Sequence, residues 1–467
     1  MSGRASLSWA VLAVLFVALA LLRPVDHDES QYVAATVLTA HGLLPYRDFP
    51  YLQTPVQPFV FAPIAWITGP WTWPALRIAN ALLGVATVAF THAAIRASGV
   101  RPRVAFAAAA LFAGCDILLF GIGTARNDAL PVALLAAAIC VLARGGRPVL
   151  VGALLAAAAA AKISYALPAA AYGLYALTHR AHRPALVALG AAPVLAFVGW
   201  TFALAPEGFL FGTLHFPALA PAEFYASRPW KMSWAAKAVD TVKFFALGAA
   251  LPALVVVARD AWRRQRLELL DWLTVAGLVA ALLPFPTWRQ YLLPVLPPLF
   301  VRLAIAWPTG RRSTMLFAAF AVIGLLPTIV AIAEPGRLSL AQGLRDGAAL
   351  GRVLDAAQLN GPVATLSPEM LPMTGRLPDP RFAAGPFYFR SHALLDPAAE
   401  RRLHVVSRDR AAFAPGTVIL TGGESAATAG DPALDSAMAR GRRIGGAGRF
   451  SLYATPASPR PAPHNSP

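Results

Sequence analysis

The sequence predicts an all-α polytopic membrane domain followed by a small soluble α/β domain. Three observations carry that expectation. The 467 residues are 57% hydrophobic and only 13% charged, whereas a soluble chain carries roughly 25% charged residues. The charges are also unevenly spread: 15 Lys/Arg and 10 Asp/Glu lie in the 133 residues from Pro335 onward, leaving 25 and 13 for the first 334. Long apolar runs fill that first part, and roughly 20 apolar residues cross a bilayer. The expected division is a membrane domain over 1–334, an α/β domain over 335–456 and a disordered tail rich in Pro, Ala and Ser over 457–467.

A net charge of +17 suggests nucleic acid at first sight. The basic residues, however, sit in short clusters between apolar runs, as the cytoplasmic preference of Lys and Arg dictates. No nucleic-acid partner is expected. The two cysteines, Cys115 and Cys140, lie inside apolar segments and have no metal-ligand spacing.

The elements follow from the chain's start. Leu7 to Leu22 ends at Arg23-Pro24 with no small-residue cleavage site, and reads as a first transmembrane helix with its amino end in the cytoplasm. The clusters Arg96/Arg101/Arg103, Arg144/Arg147, Arg180/Arg183, Arg259–Arg266 and Arg311/Arg312, all placed inside, order the rest. Helices are expected at 76–95, 104–122, 129–143, 184–204, 243–258, 268–283, 291–306 and 314–333, with two short ones meeting near Lys162 in 148–178. That makes about eleven spans and places the C-terminal domain outside. In that domain, 338–358 has helical spacing, and 363–366, 417–420 and 450–453 read as strands. Ser233 to Lys243 reads as an interfacial helix.

Ionisable residues concentrate after the first helix: Asp26, His27, Asp28 and Glu29, then Tyr32, Arg47 and Asp48. A helix from about Ser30 to His41, ended by Gly42, would start at the acid pair. The bland role for these acids is an N-cap and first-turn charge; the functional one is a general base facing a membrane-borne substrate. Adjacent carboxylates raise each other's pKa, which would keep one protonated near neutrality. Asp128, in Thr124-Ala-Arg126-Asn127-Asp128, either caps the next helix or lines the same cavity. Asp116 lies within the third span, where an acid must be buried in protein or face water. Arg126, Lys162, Arg228, Lys231 and Arg289 fall on the outer face, against the general bias. Lys162 interrupts an uncharged hairpin, and Arg289 precedes Gln290-Tyr291-Leu-Leu-Pro294. Their bland roles are snorkelling and interfacial anchoring.

Asp28-Glu29-Ser-Gln-Tyr32, then Gly42-Leu-Leu-Pro45-Tyr46-Arg47-Asp48 and Thr54-Pro55-Val56, resembles the first external loop of GT-C glycosyltransferases. The likeness is to glycosyltransferase family 39, which includes protein O-mannosyltransferases and lipid A aminoarabinose transferases. It extends over residues 7 to about 333. The resemblance implies juxtamembrane helices in the first loop and inverting transfer of a sugar from a polyprenyl-phosphate donor. The acceptor, a glycan, lipid or protein, stands on the periplasmic face of a bacterial-type inner membrane. By resemblance Asp28 is the general base, with Glu29 orienting it or the acceptor. Asp128, Asp48, Tyr32 and Asp116 serve the acceptor or cavity, while Arg289, Lys162, Arg126 and Tyr291 serve the donor phosphate. One departure is Gln53-Thr54-Pro55, where aminoarabinose transferases carry a lysine. Asp26, Asp28, Glu29 and His215 offer metal ligands without supporting spacing, so neither a metal nor another cofactor is expected. Two other functions fit the composition: a transporter or flippase, and a non-catalytic partner in envelope assembly. The acids cluster at one surface and no internal repeat is visible, which favours the enzyme.

Overall fold

The computed structural model describes residues 3–308, 310–391, 394–423, 434 and 441–455. The tail expected to be disordered, 457–467, lies outside the described residues.

Helix α1 (Gly3–Leu22) stops before Pro24, which has no amide to continue the ladder. The first loop carries two helices, α2 (Glu29–Ala40) and α3 (Val56–Thr68). Gly42, at φ +86°, turns the chain after α2. A 3-10 turn at Gly69–Trp71 joins α3 to α4 (Thr72–Ala97). The expected third span is broken: α5 (Pro102–Ala113) and α6 (Asp116–Ile122) meet at 62°. Helix α7 is Ala129–Ala143, and α8 (Pro148–Ala161) and α9 (Ala166–Thr178) form the hairpin around Lys162. Helix α10 (Pro184–Leu204) crosses α8 through two glycines. Gly152 faces the Val187 backbone and Gly190 the Val149 backbone, so a Cβ at either would collide. Small residues of this kind let membrane helices approach closely.

The connection that follows holds α11 (Pro206–Leu210), a π-helical turn (Phe211–His215) and α12 (Phe216–Phe224). The helix expected at 243–258 is instead α14 (Ala250–Arg264), bent by 99° from α13 (Trp234–Ala246). The expected interfacial segment belongs to α13, and Ser233 caps it by accepting from the Ala236 amide at 3.1 Å. After α15 (Leu269–Leu282), the helix expected from 291 begins as a 3-10 stretch, Arg289–Val295, before α16 (Leu296–Ile305). A helix begun at 291 would hold Pro297 and Pro298 in its interior, where each lacks the amide for the i−4 bond; begun at 296, it keeps them in the first turn, where no such bond is made. Helix α17 is Arg311–Ala333.

Among the described residues, three segments are long and apolar enough to cross a membrane: Val56–Ala97, Pro184–Leu204 and Arg311–Ala333; counting each bent pair as one span makes five. The expected total of about eleven counts the shorter apolar helices as well.

The C-terminal unit packs α18 (Leu340–Ala356) and the short helices α19 (Leu371–Thr374), α20 (Pro386–Phe389) and α21 (Pro397–Arg402) around a four-stranded sheet. Its strands are β1 (Val363–Thr365), β2 (Val418–Thr421), β3 (Arg442–Ala447) and β4 (Phe450–Ala454), in the order β1-β2-β4-β3. β1 and β2 are parallel and the other pairs antiparallel. β3 is additional to the three expected strands; Arg-Arg-Ile-Gly-Gly-Ala lacks the alternation that marks a strand. This unit shares a core with α2 of the first loop and the start of α4: Val33, Val37, Trp73 and Leu76 pack with Leu340, Leu350, Val363 and Leu452. The Val25 amide also donates to the Leu338 carbonyl at 2.8 Å. The loop bearing the acid pair is thus held against the C-terminal unit.

Candidate active site

The two adjacent acids point to different arginines. Glu29 opens α2 and is wholly enclosed. Its carboxylate accepts from Arg77 Nε (2.8 Å) and Nη2, Trp73 Nε1 (3.1 Å), the Ala125 amide (2.8 Å) and the Asp26 amide (3.1 Å). Arg77 also donates to the Ala20, Arg23 and Pro24 carbonyls, closing the otherwise unpaired end of α1. Burial pushes Glu29 up, but the Arg77 pair outweighs it and the carboxyl lies below its ordinary value.

Asp28 takes the N-cap position of α2, yet its side chain caps nothing. Oδ1 lies 3.0 Å from His27 Nε2, and Oδ2 accepts from Arg126 Nη1. Burial raises the Asp28 carboxyl; Arg126 and then His27 more than offset this and hold it well below the usual carboxylate range. The expectation that two neighbouring acids would keep one protonated is therefore corrected. Each has its own cation, so both are ionised. His27 itself is raised: burial lowers it, but Asp28 and Asp26 together win.

Asp128 sits at the N-cap of α7 without making a cap bond. It accepts from Arg126 Nε at 3.0 Å and from Lys162 Nζ. Lys162 lies 5.7 Å from the centroid of the Tyr291 ring. Tyr32, buried in α2, feels Arg126, Asp128 and Asp28, and burial places its hydroxyl well above its ordinary value. Arg289 donates to both oxygens of the buried Asp116, at 3.1 and 2.9 Å. The break between α5 and α6 starts a new helix at Asp116 and so aims that acid at Arg289.

One ring gathers the cations. Phe120, in α6, has the guanidinium carbons of Arg289, Arg23 and Arg126 at 3.7, 4.8 and 5.0 Å from its centroid. Arg23 is buried and, among the described residues, forms no salt bridge; Nη1 donates to the Leu119 carbonyl at 3.2 Å. Burial and the nearby Arg289 lower it to about 10. A cation held this way beside two others favours an incoming anion.

The structure thus brings together Asp28, Asp128, Arg126, Lys162, Tyr291 and Tyr32, and places Asp116–Arg289 beside them through Phe120. Glu29 lies behind this group with every oxygen engaged. Asp48 stands apart: it accepts from Arg47 at 2.9 and 2.8 Å and from the Leu44 amide at 2.8 Å, shaping its own turn. Sequence reasoning passed over Arg77, Arg23 and Phe120. Arg77 carried a usable signal, a charge inside an apolar run; Arg23 read only as the end of α1.

Asp26, His27 and Asp28 each offer one ligand atom, all within 4.8 Å of one another, the one such group among the described residues. Arg126 Nη1, bonded to Asp28 and 3.7 Å from Asp26 Oδ2, already supplies the positive charge there. His215 is not among them.

An apolar groove of about 690 Å³ runs beside this cluster between α8, α9 and α10. Leu155, Ala159, Ala170 and Leu195 line it, with Thr54, Pro55 and Thr213 contributed by the loops.

No family model matches the sequence, and no curated protein matches it. Among solved structures, ArnT from Cupriavidus metallidurans in the apo state aligns at a TM-score of 0.62 and 16% identity, covering 98% of this chain and all (100%) of that one. The same protein bound to undecaprenyl phosphate aligns at 0.58 and 15%, with 98% and 100% coverage. The fold is that of the GT-C membrane glycosyltransferases.

Proposed function

From the shared GT-C fold, we propose that the chain transfers a sugar from a polyprenyl-phosphate-linked donor to an acceptor, inverting at the anomeric carbon, on the periplasmic face of a bacterial-type inner membrane. The fold alone does not specify chemistry. The observation that carries the reading is an ionised Asp28 bound to Arg126, one of the three guanidinia gathered around Phe120, next to an apolar groove. The solved relative with undecaprenyl phosphate is consistent with such a ligand.

The roles follow from charge. As the bond from sugar to phosphate breaks, negative charge grows on the phosphate, and preorganised cations there stabilise the transition state. Arg289 and Arg23 take that role, with Lys162, whose chain neighbours Ala160 and Ile163 line the groove, and Tyr291 beside it. Guanidinium can grip phosphate through two parallel bonds. The polyprenyl chain lies in the groove between α8 and α10. Asp28 accepts the acceptor's proton as its oxygen attacks C1. A weakly basic carboxylate suffices because glycosyl transfer develops positive charge at the anomeric carbon, which acidifies the attacking hydroxyl. Glu29 acts as a positioning residue: it holds the Ala125 amide next to Arg126, which holds Asp28. Asp128 positions Arg126 and Lys162, Asp116 positions Arg289, and Tyr32 closes the cavity wall.

The test is Asp28→Asn in the full chain, reconstituted in lipid nanodiscs with radiolabelled lipid-linked sugar. Loss of a positioned base costs about 10²–10⁴ in rate, while affinity for undecaprenyl phosphate should be unchanged. Undiminished transfer overturns the role of Asp28. Failure of the wild type to bind undecaprenyl phosphate overturns the donor.

A further inference from the structure

A second groove, of about 570 Å³, runs between α14 and α15. Leu254, Val257, Val275 and Leu278 make its walls apolar, while Trp262 and Arg266 stand where α14 ends. The opposite end of α14 is the one near the candidate site, where the Asp116 amide donates to the Leu247 carbonyl at 3.1 Å. Fifteen helical residues separate the two ends by roughly 20 Å. The carboxylates along the groove, Asp260, Glu268 and Asp271, are all engaged. Arg302, enclosed in α16, donates to Asp271 through Nε at 2.8 Å and to Asp260 through Nη2 at 2.5 Å. Arg264 donates to the same two acids at 2.9 Å each and lies 3.0 Å from Glu268. Arg259, Arg263 and Arg266 are left exposed. Among the described residues, Arg259 and Arg263 form no salt bridge or hydrogen bond. Arg266 comes only within 3.7 Å of Glu268, with its side chain 75% exposed.

We propose that this groove is a binding site for an anionic phospholipid of the surrounding leaflet, one acyl chain lying between α14 and α15 and the head group at Arg266. The site is independent of the transfer reading. Its length suits the occupant: from Leu254 to Gln265 the wall of α14 extends about 16 Å, the depth of one leaflet in a hydrocarbon core roughly 30 Å thick. Its surroundings suit a lipid as well. Val255 on α14 and Val279 on α15 are exposed, so the outer surface of this helix pair is apolar. Trp262, 78% exposed, has the amphipathic ring that sits at head-group level. Charge selects among lipids. Arg259, Arg263, Arg264, Arg266 and Arg302 stand against Asp260, Glu268 and Asp271, an excess of two positive charges. Basic pockets between membrane helices bind anionic head groups in this way. A free anion would use the arginines but not the groove, and an apolar partner helix would use the groove but not the arginines. An anionic lipid uses both.

The experiment is native mass spectrometry of the full chain in detergent, given equal amounts of phosphatidylglycerol and phosphatidylcholine with the same acyl chains. The wild type should retain phosphatidylglycerol in preference. Arg266→Gln should cut that preference about fivefold, the worth of one arginine near an anionic head group, and Arg266→Lys should keep most of it. Ala258→Trp, at an exposed position on the groove wall, should lower retention of phosphatidylglycerol with all arginines in place. Arg337→Gln, an exposed arginine before α18, should change nothing. If Ala258→Trp fails to fold, the two Arg266 variants decide. Equal retention of the two lipids overturns the proposal, as does a preference that survives both Arg266→Gln and Ala258→Trp. Displacement of the lipid by equimolar inorganic phosphate would make this an ion site, and a dimer formed in place of the lipid complex would make it a contact between copies; either overturns the lipid.

Discussion

Asp28 and Asp128 share one guanidinium: Arg126 donates to Asp28 through Nη1 and to Asp128 through Nε at 3.0 Å. The first-loop helix and the start of α7 are thereby locked in register, and Lys162 joins through the other oxygen of Asp128. A carboxylate fixed this way stays ionised and aimed, which a base at a membrane surface requires.

The pH dependence should reveal that lock. The Asp28 carboxyl lies below its ordinary value of 3.8 because Arg126 and His27 outweigh its burial. Its pairing therefore stabilises the fold above the unfolded value, and this is lost only as pH falls through the depressed folded value. Transfer by the wild type should show no acid limb from Asp28 between pH 7 and about 4.5. In Arg126→Ala burial acts with less opposition, so an acid limb should move up into that window. A pH–rate profile of the two proteins checks this; superimposable acid limbs would sink the assignment.

Glu29 and Arg77 should behave as a structural pair. Both are fully enclosed, and removing one partner strands the other. Breaking a buried pair costs about 3–5 kcal/mol. Glu29→Ala or Arg77→Ala should sharply lower the unfolding temperature in detergent, and the double variant should lose less than the two singles summed. Additive losses would mean that the residues do not act as a pair.

Arg23 and Arg289 should separate stability from function. Arg289→Ala leaves the buried Asp116 unpaired and should destabilise the chain. Among the described residues Arg23 forms no salt bridge, so Arg23→Ala should leave thermal stability unchanged or raised. Both should weaken undecaprenyl phosphate binding by about tenfold or more, as loss of a charge-assisted bond implies. Retention of full affinity in both would move the donor phosphate elsewhere.

The groove should read chain length. Ala170 lines it and is exposed, so Ala170→Phe fills space without disturbing the core. Affinity for undecaprenyl phosphate should fall several-fold, since each buried methylene is worth about 0.8 kcal/mol, while geranyl phosphate should bind as before. A parallel loss for both lipids would place the chain outside the groove.

Legibility differed between elements for identifiable reasons. Helices α7 and α10 lie where hydropathy and flanking arginines put them, because both signals are local. The bends between α5 and α6 and between α13 and α14 escaped, since apolar composition is the same on either side of a change in direction. β3 escaped because its glycines and arginines carry no alternation. At the site, Arg126 and Lys162 were recognisable as basic residues placed against the general bias, Asp28 by its motif and Asp128 by its place at a helix start. Asp48 was carried along by its neighbours in the motif and proved to serve a turn.

The chain order of residues settled that this is a helical membrane protein with an α/β appendage, and that its acids and arginines collect at the ends of apolar runs. Bilayer energetics act on short windows of sequence, so a window is enough to read them. Pairing was decided only in three dimensions. Glu29 turns to Arg77 and Asp28 to Arg126, and Phe120 draws three guanidinia together. Charge interactions depend on separations across the packed fold, and contiguous residues such as Asp28 and Glu29 can face opposite neighbours.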